Sequence, residues 1–481
     1  MNRKKLTAIF SLALTASMIM TACGSAADDT DNDVTTDTEG TTALTVEVNT
    51  ETLAPEQQEQ VSAVADSLTG ELENKTIKWM SFYDPWHAGT NGNTKPVSVE
   101  LFETKYGGEI EYCPTTWDQR FNDISTSILG GEGIDFIAGS DLDSFPKGIQ
   151  SGMIESYDEY IDWSNPLWES VKPLNDQFEI GGYHYVIGAH ASTGYVVYYN
   201  RSTIEENGFD DPADLFANGE WTLDKFREML LEFVDVDNDK YGLDGWFNAA
   251  PLMYSCGKPA IQIKDGKVAH NLSDPDFERA MNFEYDLAKN GLVLDKSLFG
   301  WNTHIEFMGE GRELFYISGL YEIQQSPDIW TATFGEADDV MFVPIPRDSQ
   351  ADEYYLHAGI DAYMLCKGAQ NPEGVARFME CIIASYSDEN TKAINTEKMK
   401  NDYGWSDEMI EMEATIAEMT AEHPVYDLMN GIPSEVSSIV TSGDNGINAP
   451  LNGKEWYPVR DAIVDVVSGE LDNFNNAIGL N

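Results

Sequence analysis

From Thr76 onward the chain alternates short apolar runs with longer stretches whose apolar residues recur every three or four positions. Thr76-Ile77-Lys78-Trp79-Met80-Ser81-Phe82 reads as a strand that runs into Tyr83-Asp84-Pro85-Trp86. Residues 97–103 have helical spacing and stop at Gly107-Gly108. Glu109-Ile110-Glu111-Tyr112 reads as a second strand, residues 121–129 as a second helix, and Ile134-Asp135-Phe136-Ile137-Ala138 as a third strand between glycines. Strands alternating with helices predict right-handed crossovers and a mostly parallel sheet. Ligands of such open sheets bind beyond the carboxyl ends of the strands, so the residues just after each strand are the first to examine.

A second unit opens at Tyr195-Val196-Val197-Tyr198-Tyr199-Asn200, rich in β-branched and aromatic residues. Thr222 is placed to cap a helix whose Phe226, Met229, Leu230 and Phe233 share one face. Helices are predicted at 276–290 and around Glu306, and short apolar strands at 341–346 and 359–365. From Asn371-Pro372 a helix carries Val375, Phe378, Met379, Ile382 and Ile383 on one side. Ahead of all this, Val61, Val64, Ala65, Leu68 and Leu72 behind Pro55 predict a short amphipathic helix. No internal repeat is evident.

The first residues have a different pattern. Arg3, Lys4 and Lys5 precede an uncharged stretch to Met20, and Thr21-Ala22-Cys23-Gly24 supplies small residues around one cysteine. A membrane-spanning helix needs roughly 20 apolar residues, so the stretch reads as an export signal. It resembles a bacterial lipobox with Met20 where leucine is usual. The resemblance implies removal of residues 1–22, lipid on Cys23 and anchoring on the extracytoplasmic face of the cell membrane. Residues 26–49, mostly Asp, Thr, Glu and Gly, are too polar to offset the entropy of ordering. Residues 23–74 are therefore expected to be an acidic tether containing the short helix.

Composition narrows the partners. Of 481 residues 83 are acidic and 29 basic, a formal charge of −54, which repels nucleic acid and anionic headgroups. About 400 residues beyond the tether exceed one core and fit two large lobes. Cys113, Cys256, Cys366 and Cys381 lack metal-ligand spacing; they read as buried thiols, or as disulfides in any of three pairings. Asp235-Val236-Asp237-Asn238-Asp239-Lys240-Tyr241-Gly242 offers oxygens at alternate positions, as a calcium loop does. Lys240 and Trp246 stand where that loop requires Gly and Glu, so an Asx-rich turn is the competing reading for Asp235, Asp237 and Asp239. No cofactor is expected. There is no HExxH, GxSxG or GxxxxGK[ST], and no enzyme is expected.

The order of segments resembles the extracellular solute-binding proteins of ABC transporters, in the carbohydrate-binding group. The likeness rests on residues 152–161 and 182–188, Val197-Tyr198-Tyr199-Asn200-Arg201, Gly219-Glu220-Trp221-Thr222, Phe307-Met308-Gly309-Glu310-Gly311-Arg312, Val343-Pro344-Ile345-Pro346 and Asn371-Pro372-Glu373-Gly374. It implies two α/β lobes, 75–190 with 347–392 and 191–346 with 393–481, each a mostly parallel sheet flanked by helices. The chain would cross between them near 189–194, 344–348 and 390–400. It further implies a monomer that closes about a hinge over an oligosaccharide and delivers it to permease subunits. A polyamine or peptide ligand, or a surface sensor without a transporter, are the alternatives.

Sugars present apolar faces rimmed by hydroxyls, so their sites need flat rings beside polar partners. Strand ends give Tyr83, Asp84, Trp86, Trp117, Ser140 and Asp141. The resemblance adds Thr193 at the first crossing and Tyr321 and Trp456 at loops where the family stacks aromatic rings on sugar. Trp301 and Asp361 complete the candidates.

Overall fold

The computed structural model describes residues 53–87 and 95–480; the export signal, Cys23 and most of the tether lie outside these. The chain forms strands β1 (Thr76–Ser81), β2 (Glu109–Pro114), β3 (Phe136–Ala138) and β4 (Ile154–Glu155), a small pair β5 (Glu179–Ile180) and β6 (Tyr183–His184), then β7 (Val186–Thr193). β8 (Val196–Asn200) and β9 (Tyr241–Gly245) follow, then a hairpin of β10 (Ile261–Lys264) and β11 (Lys267–His270), then β12 (Glu313–Ser318) and β13 (Val340–Pro344). β14 (Leu356–Cys366) and β15 (Pro424–Val425) come last.

Two larger sheets result, one in the order β15-β14-β3-β1-β2 with β4 and β7 also on β14, the other β13-β8-β12-β9. β1 pairs parallel with β2 and β3, as alternating strands and helices require. β14 runs antiparallel to β3 and β7, and β8 antiparallel to β12 and β13. The expectation of a mostly parallel sheet in each lobe therefore holds around β1 and for the β9–β12 and β14–β15 pairs, and fails where β8 and β14 run against their neighbours. Strands that arrive from the other sheet are not fed by a βαβ crossover, so the rule that imposes parallel pairing does not reach them. The chain leaves the first sheet after Thr193, leaves the second after Pro344 and re-enters the first at Leu356.

The sequence signals at the helices are met by local chemistry. Thr222 caps Leu223–Phe233, its side chain accepting from Lys225 N at 3.3 Å, and Phe226, Met229, Leu230 and Phe233 are buried. Asn371 caps Pro372–Ser387, accepting from Gly374 N at 2.9 Å. Pro55–Ser67 is the short helix before the fold, with Val61, Val64 and Ala65 buried. The stretch expected to hold the third crossing is one helix, Glu389–Tyr403, and Trp405 just beyond it enters the core of the second sheet. That core joins the β8–β13 strands to the helix Leu223–Phe233. A separate cluster packs Trp79, Phe102, Tyr363 and Phe378 on one face of the first sheet. Among the described residues Cys113, Cys256, Cys366 and Cys381 are free; burial pushes the Cys256 thiol up to about 12 and raises Cys366 and Cys381 as well. Among the described residues no helix is long and apolar enough to cross a membrane.

Candidate functional site

Three loops leave the carboxyl ends of β1, β2 and β3. Tyr83 follows β1, its carbonyl accepting from Trp79 Nε1 at 3.3 Å, and its ring meets Phe82 edge-on at 4.9 Å. Phe82 meets Trp117, beyond β2, edge-on at 5.1 Å, and the Arg120 guanidinium lies 3.6 Å over Trp117 while pairing with Asp143. Ser140 and Asp141, beyond β3, are exposed. Burial raises the Asp141 carboxyl, Asp143 raises it further and Arg120 opposes both. Tyr83 is 40% exposed, yet burial first, then Asp141 and Asp361, raise its hydroxyl. A side chain that water reaches but protein largely surrounds stands on a concave wall.

The crossing strands supply the adjoining wall. Asp361 on β14 sits opposite His190 on β7, beside a register shift between Asp361 and Ala362, and His190 Nδ1 lies 4.0 Å from Asp361 Oδ2. Such irregularities re-aim side chains and gather near binding sites. His190 stacks on Tyr386 at 3.6 Å, and burial, then Asp361, raise the Tyr386 hydroxyl although its residue is 40% exposed. Thr193 ends β7 with an enclosed hydroxyl that lacks a hydrogen-bond partner among the described residues. His357 lies between Tyr195 at 4.7 Å and Tyr254 at 4.6 Å, and burial pushes its imidazole down to about 4, so it is neutral at pH 7.

The second sheet closes the arrangement. Tyr321, past β12, is 51% exposed, and the Ser318 hydroxyl lies 3.0 Å from both its phenol oxygen and Glu322 Oε1. Burial raises the Tyr321 hydroxyl against the Ser318 bond, and the charges of Glu322 and Asp141 add to the rise. Burial also raises Tyr195, followed by Tyr321 and Asp141. Asp141 of the first sheet thus acts on Tyr321 beyond the second and on Tyr195 between them. Trp246 and Phe247, directly after β9, are exposed, and Phe247 meets Tyr195 edge-on at 5.6 Å.

Tyr83, Trp117, Ser140, Asp141, Thr193, Tyr321 and Asp361 thus stand on loops and strands that lead to the crossing. The other candidates stand elsewhere. Trp86 is buried among Trp79, Tyr363 and Phe378, with ring centroids 5.0–5.8 Å away. Asp84 is spent on its own turn, accepting from Trp86 N at 3.1 Å and meeting His87 at 2.8 Å. Trp456 has no exposed surface; it opens the helix Trp456–Ala477 inside the core, 5.9 Å from Phe277. Trp301 projects into solvent from a left-handed turn with φ of 65°. In the 235–239 segment, Asp235 N and Lys240 N bond each other's carbonyls and Asn238 Nδ2 donates to Asp235 Oδ2 at 2.7 Å, the arrangement of an Asx-rich turn.

Sequence reasoning missed His190, Tyr195, Trp246, Phe247, Glu322, His357 and Tyr386. β9 was hidden by the acidic turn before it; recognising it would have exposed Trp246 and Phe247 by the same strand-end rule. Glu322 directly follows Tyr321 and falls under the same rule; His190, Tyr195, His357 and Tyr386 carry no local signal, because the pairing of β7 with β14 and the docking of the helix Pro372–Ser387 bring them together.

Two mixed α/β sheets, with the chain crossing from one to the other, define the two-lobed fold of the maltose-binding-protein type. Residues 88–385 match the bacterial extracellular solute-binding protein family, and the chain belongs to it. A maltotriose-binding protein from Pyrococcus abyssi (strain GE5 / Orsay) is 22% identical over 307 residues. The match spans 61% of this chain and 61% of that relative. In fold, the chain is similar to the cyclic alpha-maltosyl-1,6-maltose binding protein from Arthrobacter globiformis, at 14% identity and a TM-score of 0.59, covering 84% of this chain and 100% of that one. It is equally similar to a sugar transporter from Rhizobium etli in an open conformation, at 16% identity and a TM-score of 0.59, over 82% and 99%. The family and fold are those of solute-binding proteins and not of enzymes.

Proposed function

We propose that this protein captures a carbohydrate, an oligosaccharide in particular, between its two lobes and hands it to the permease of an ABC importer. The observation that carries the reading is the pair of solvent-reachable rings at strand ends of the two sheets, Tyr83 at 40% and Tyr321 at 51% exposed, with the Asp141 charge contributing to the raised hydroxyl of each. Rings that flank a hydrogen-bonding carboxyl group match a sugar's apolar faces and hydroxyl rim. Relatives named for maltotriose and for a cyclic maltosyl-maltose support the same class. Ligand contacting both lobes favours the closed form by its differential affinity, which is the state a permease reads. Tyr83, Trp117, Ser140, Asp141, Thr193, Tyr321 and Asp361 form the proposed site. The chain is proposed to act as a monomer held at the cell membrane by lipid on Cys23.

A cationic solute is the second reading, favoured by Asp141 and Asp361 both acting on Tyr83. A thermal-shift and calorimetric screen of maltodextrins, monosaccharides, polyamines and amino acids separates the two. A saccharide at 100 times Kd adds about 2.7 kcal/mol to the native state. Its binding is expected to change little with salt and to weaken in Tyr321→Ala. Stabilisation by polyamines alone, falling steeply with salt, overturns the sugar reading.

A further inference from the structure

Outside that wall, His184 on β6 is nearly enclosed, its side chain 6% exposed. Nδ1 lies 2.7 Å from Asp158 Oδ1, while the backbone N–H of His184 donates to Asp158 Oδ2 at 2.8 Å. Asp158 also accepts from Trp163 Nε1 at 3.2 Å and from the Ser156 hydroxyl at 2.5 Å. A carboxylate only accepts, so Nδ1 is the donor toward Asp158, and Nε2 is the ring nitrogen that remains to bind a metal. Nε2 lies 3.3 Å from Asp176 Oδ1. Glu179 completes the group, and ligand atoms of Asp176, Glu179 and His184 lie within 4.8 Å of one another. A cation held among these atoms would bind Nε2 and both carboxylates at once.

We propose that Asp176, Glu179 and His184 form a site for a divalent transition metal, with Asp158 orienting the imidazole from behind. Carboxylate–histidine–metal chains of this kind fix the ring and raise its basicity. One imidazole nitrogen with two carboxylate oxygens suits zinc and cobalt better than calcium, which prefers a larger all-oxygen shell. Bonds of about 2.0–2.2 Å place two ligand atoms about 3–3.5 Å apart, so the two carboxylates close by roughly 1 Å around the ion. Asp176 is exposed and Glu179 partly so, which leaves them room to rotate. Lys172 Nζ, 2.5 Å from Asp176 Oδ1, is the resident competitor. The metal joins the end of the helix Pro166–Asn175 to the β5–β6 pair, which leads into β7 and so to His190 and Thr193.

Chelator-stripped protein is titrated with Zn²⁺ by calorimetry and with Co²⁺ by visible absorption, Ca²⁺ serving as control. The expected result is one saturable Zn²⁺ site of micromolar affinity or better, cobalt ligand-field bands, and no Ca²⁺ binding at the same concentrations. His184→Gln and Glu179→Gln each weaken Zn²⁺ about 10- to 100-fold, and Lys172→Ala tightens it. Glu179→Gln changes a partly exposed side chain, so it tests the site even if the buried His184 variant fails to fold. Absence of a saturable site, or equal affinity in wild type and Glu179→Gln, overturns the proposal.

Discussion

Trp456 and Tyr321 are both aromatics in late loops, yet their surroundings predict opposite consequences of mutation. Trp456 is wholly enclosed against Phe277, whereas Tyr321 is half-exposed and held near Glu322 by the shared Ser318 hydroxyl. Trp456→Ala is expected to cost about 3–5 kcal/mol of stability, read by urea unfolding, while the affinity of the folded fraction changes little. Tyr321→Ala is expected to leave the unfolding midpoint nearly unchanged. It removes a ring worth about 0.5–1.5 kcal/mol beyond area burial, so saccharide affinity falls at least ~2- to 10-fold by calorimetry. A large affinity loss in folded Trp456→Ala would restore that residue to the site.

At the scale of elements, the first crossing is built for close approach. A Cβ on Gly194 would lie 2.3 Å from the carbonyl oxygen of His357, backbone that cannot swing aside as a side chain can. Gly194→Ala is expected to destabilise by about 1–3 kcal/mol and to weaken ligand, because it displaces Thr193 and Tyr195 on either side. Unchanged melting and affinity would show that the crossing has slack. The same segment shows where sequence reading stopped. The strand β1, the helix Leu223–Phe233 and the cap at Asn371 were legible because their signals are local: alternation, a 3.6-residue period, a side chain accepting from the first turn. Tyr195, His357 and Tyr386 were not, since each lies beside the site only after β7 and β14 pair and their helices dock.

Across the whole molecule, buried carboxyl groups couple folding to pH. Asp427 accepts from Ala260 N, Ile261 N and Met429 N at 2.7–3.2 Å, and burial outweighs these bonds and pushes it up to about 6 from 3.8. Glu284, enclosed and without a hydrogen-bond partner, is raised well above its usual value by burial. The native state keeps the Asp427 proton that the unfolded chain releases. Its contribution is complete below about pH 4 and is lost as pH rises to about 6, a difference of about 3 kcal/mol. Urea unfolding of wild type between pH 4 and 7 is expected to show stability falling with pH, and Asp427→Asn a shallower fall. Equal slopes would assign the effect to repulsion among the other 82 acidic residues, given 83 in the chain.

By itself the sequence determined the alternation of strands and helices, the loops at their carboxyl ends and the resemblance that placed two lobes in order. These follow from short-range periodicity and capping, which each segment carries alone. Tertiary structure decided that Trp86 and Trp456 serve cores while Tyr83 and Tyr321 remain within reach of solvent. It also set Asp141 near rings from both sheets, and turned β8 and β14 against the parallel rule. Burial, desolvation and strand direction are properties of what packs around a residue, and its neighbours in sequence do not carry them.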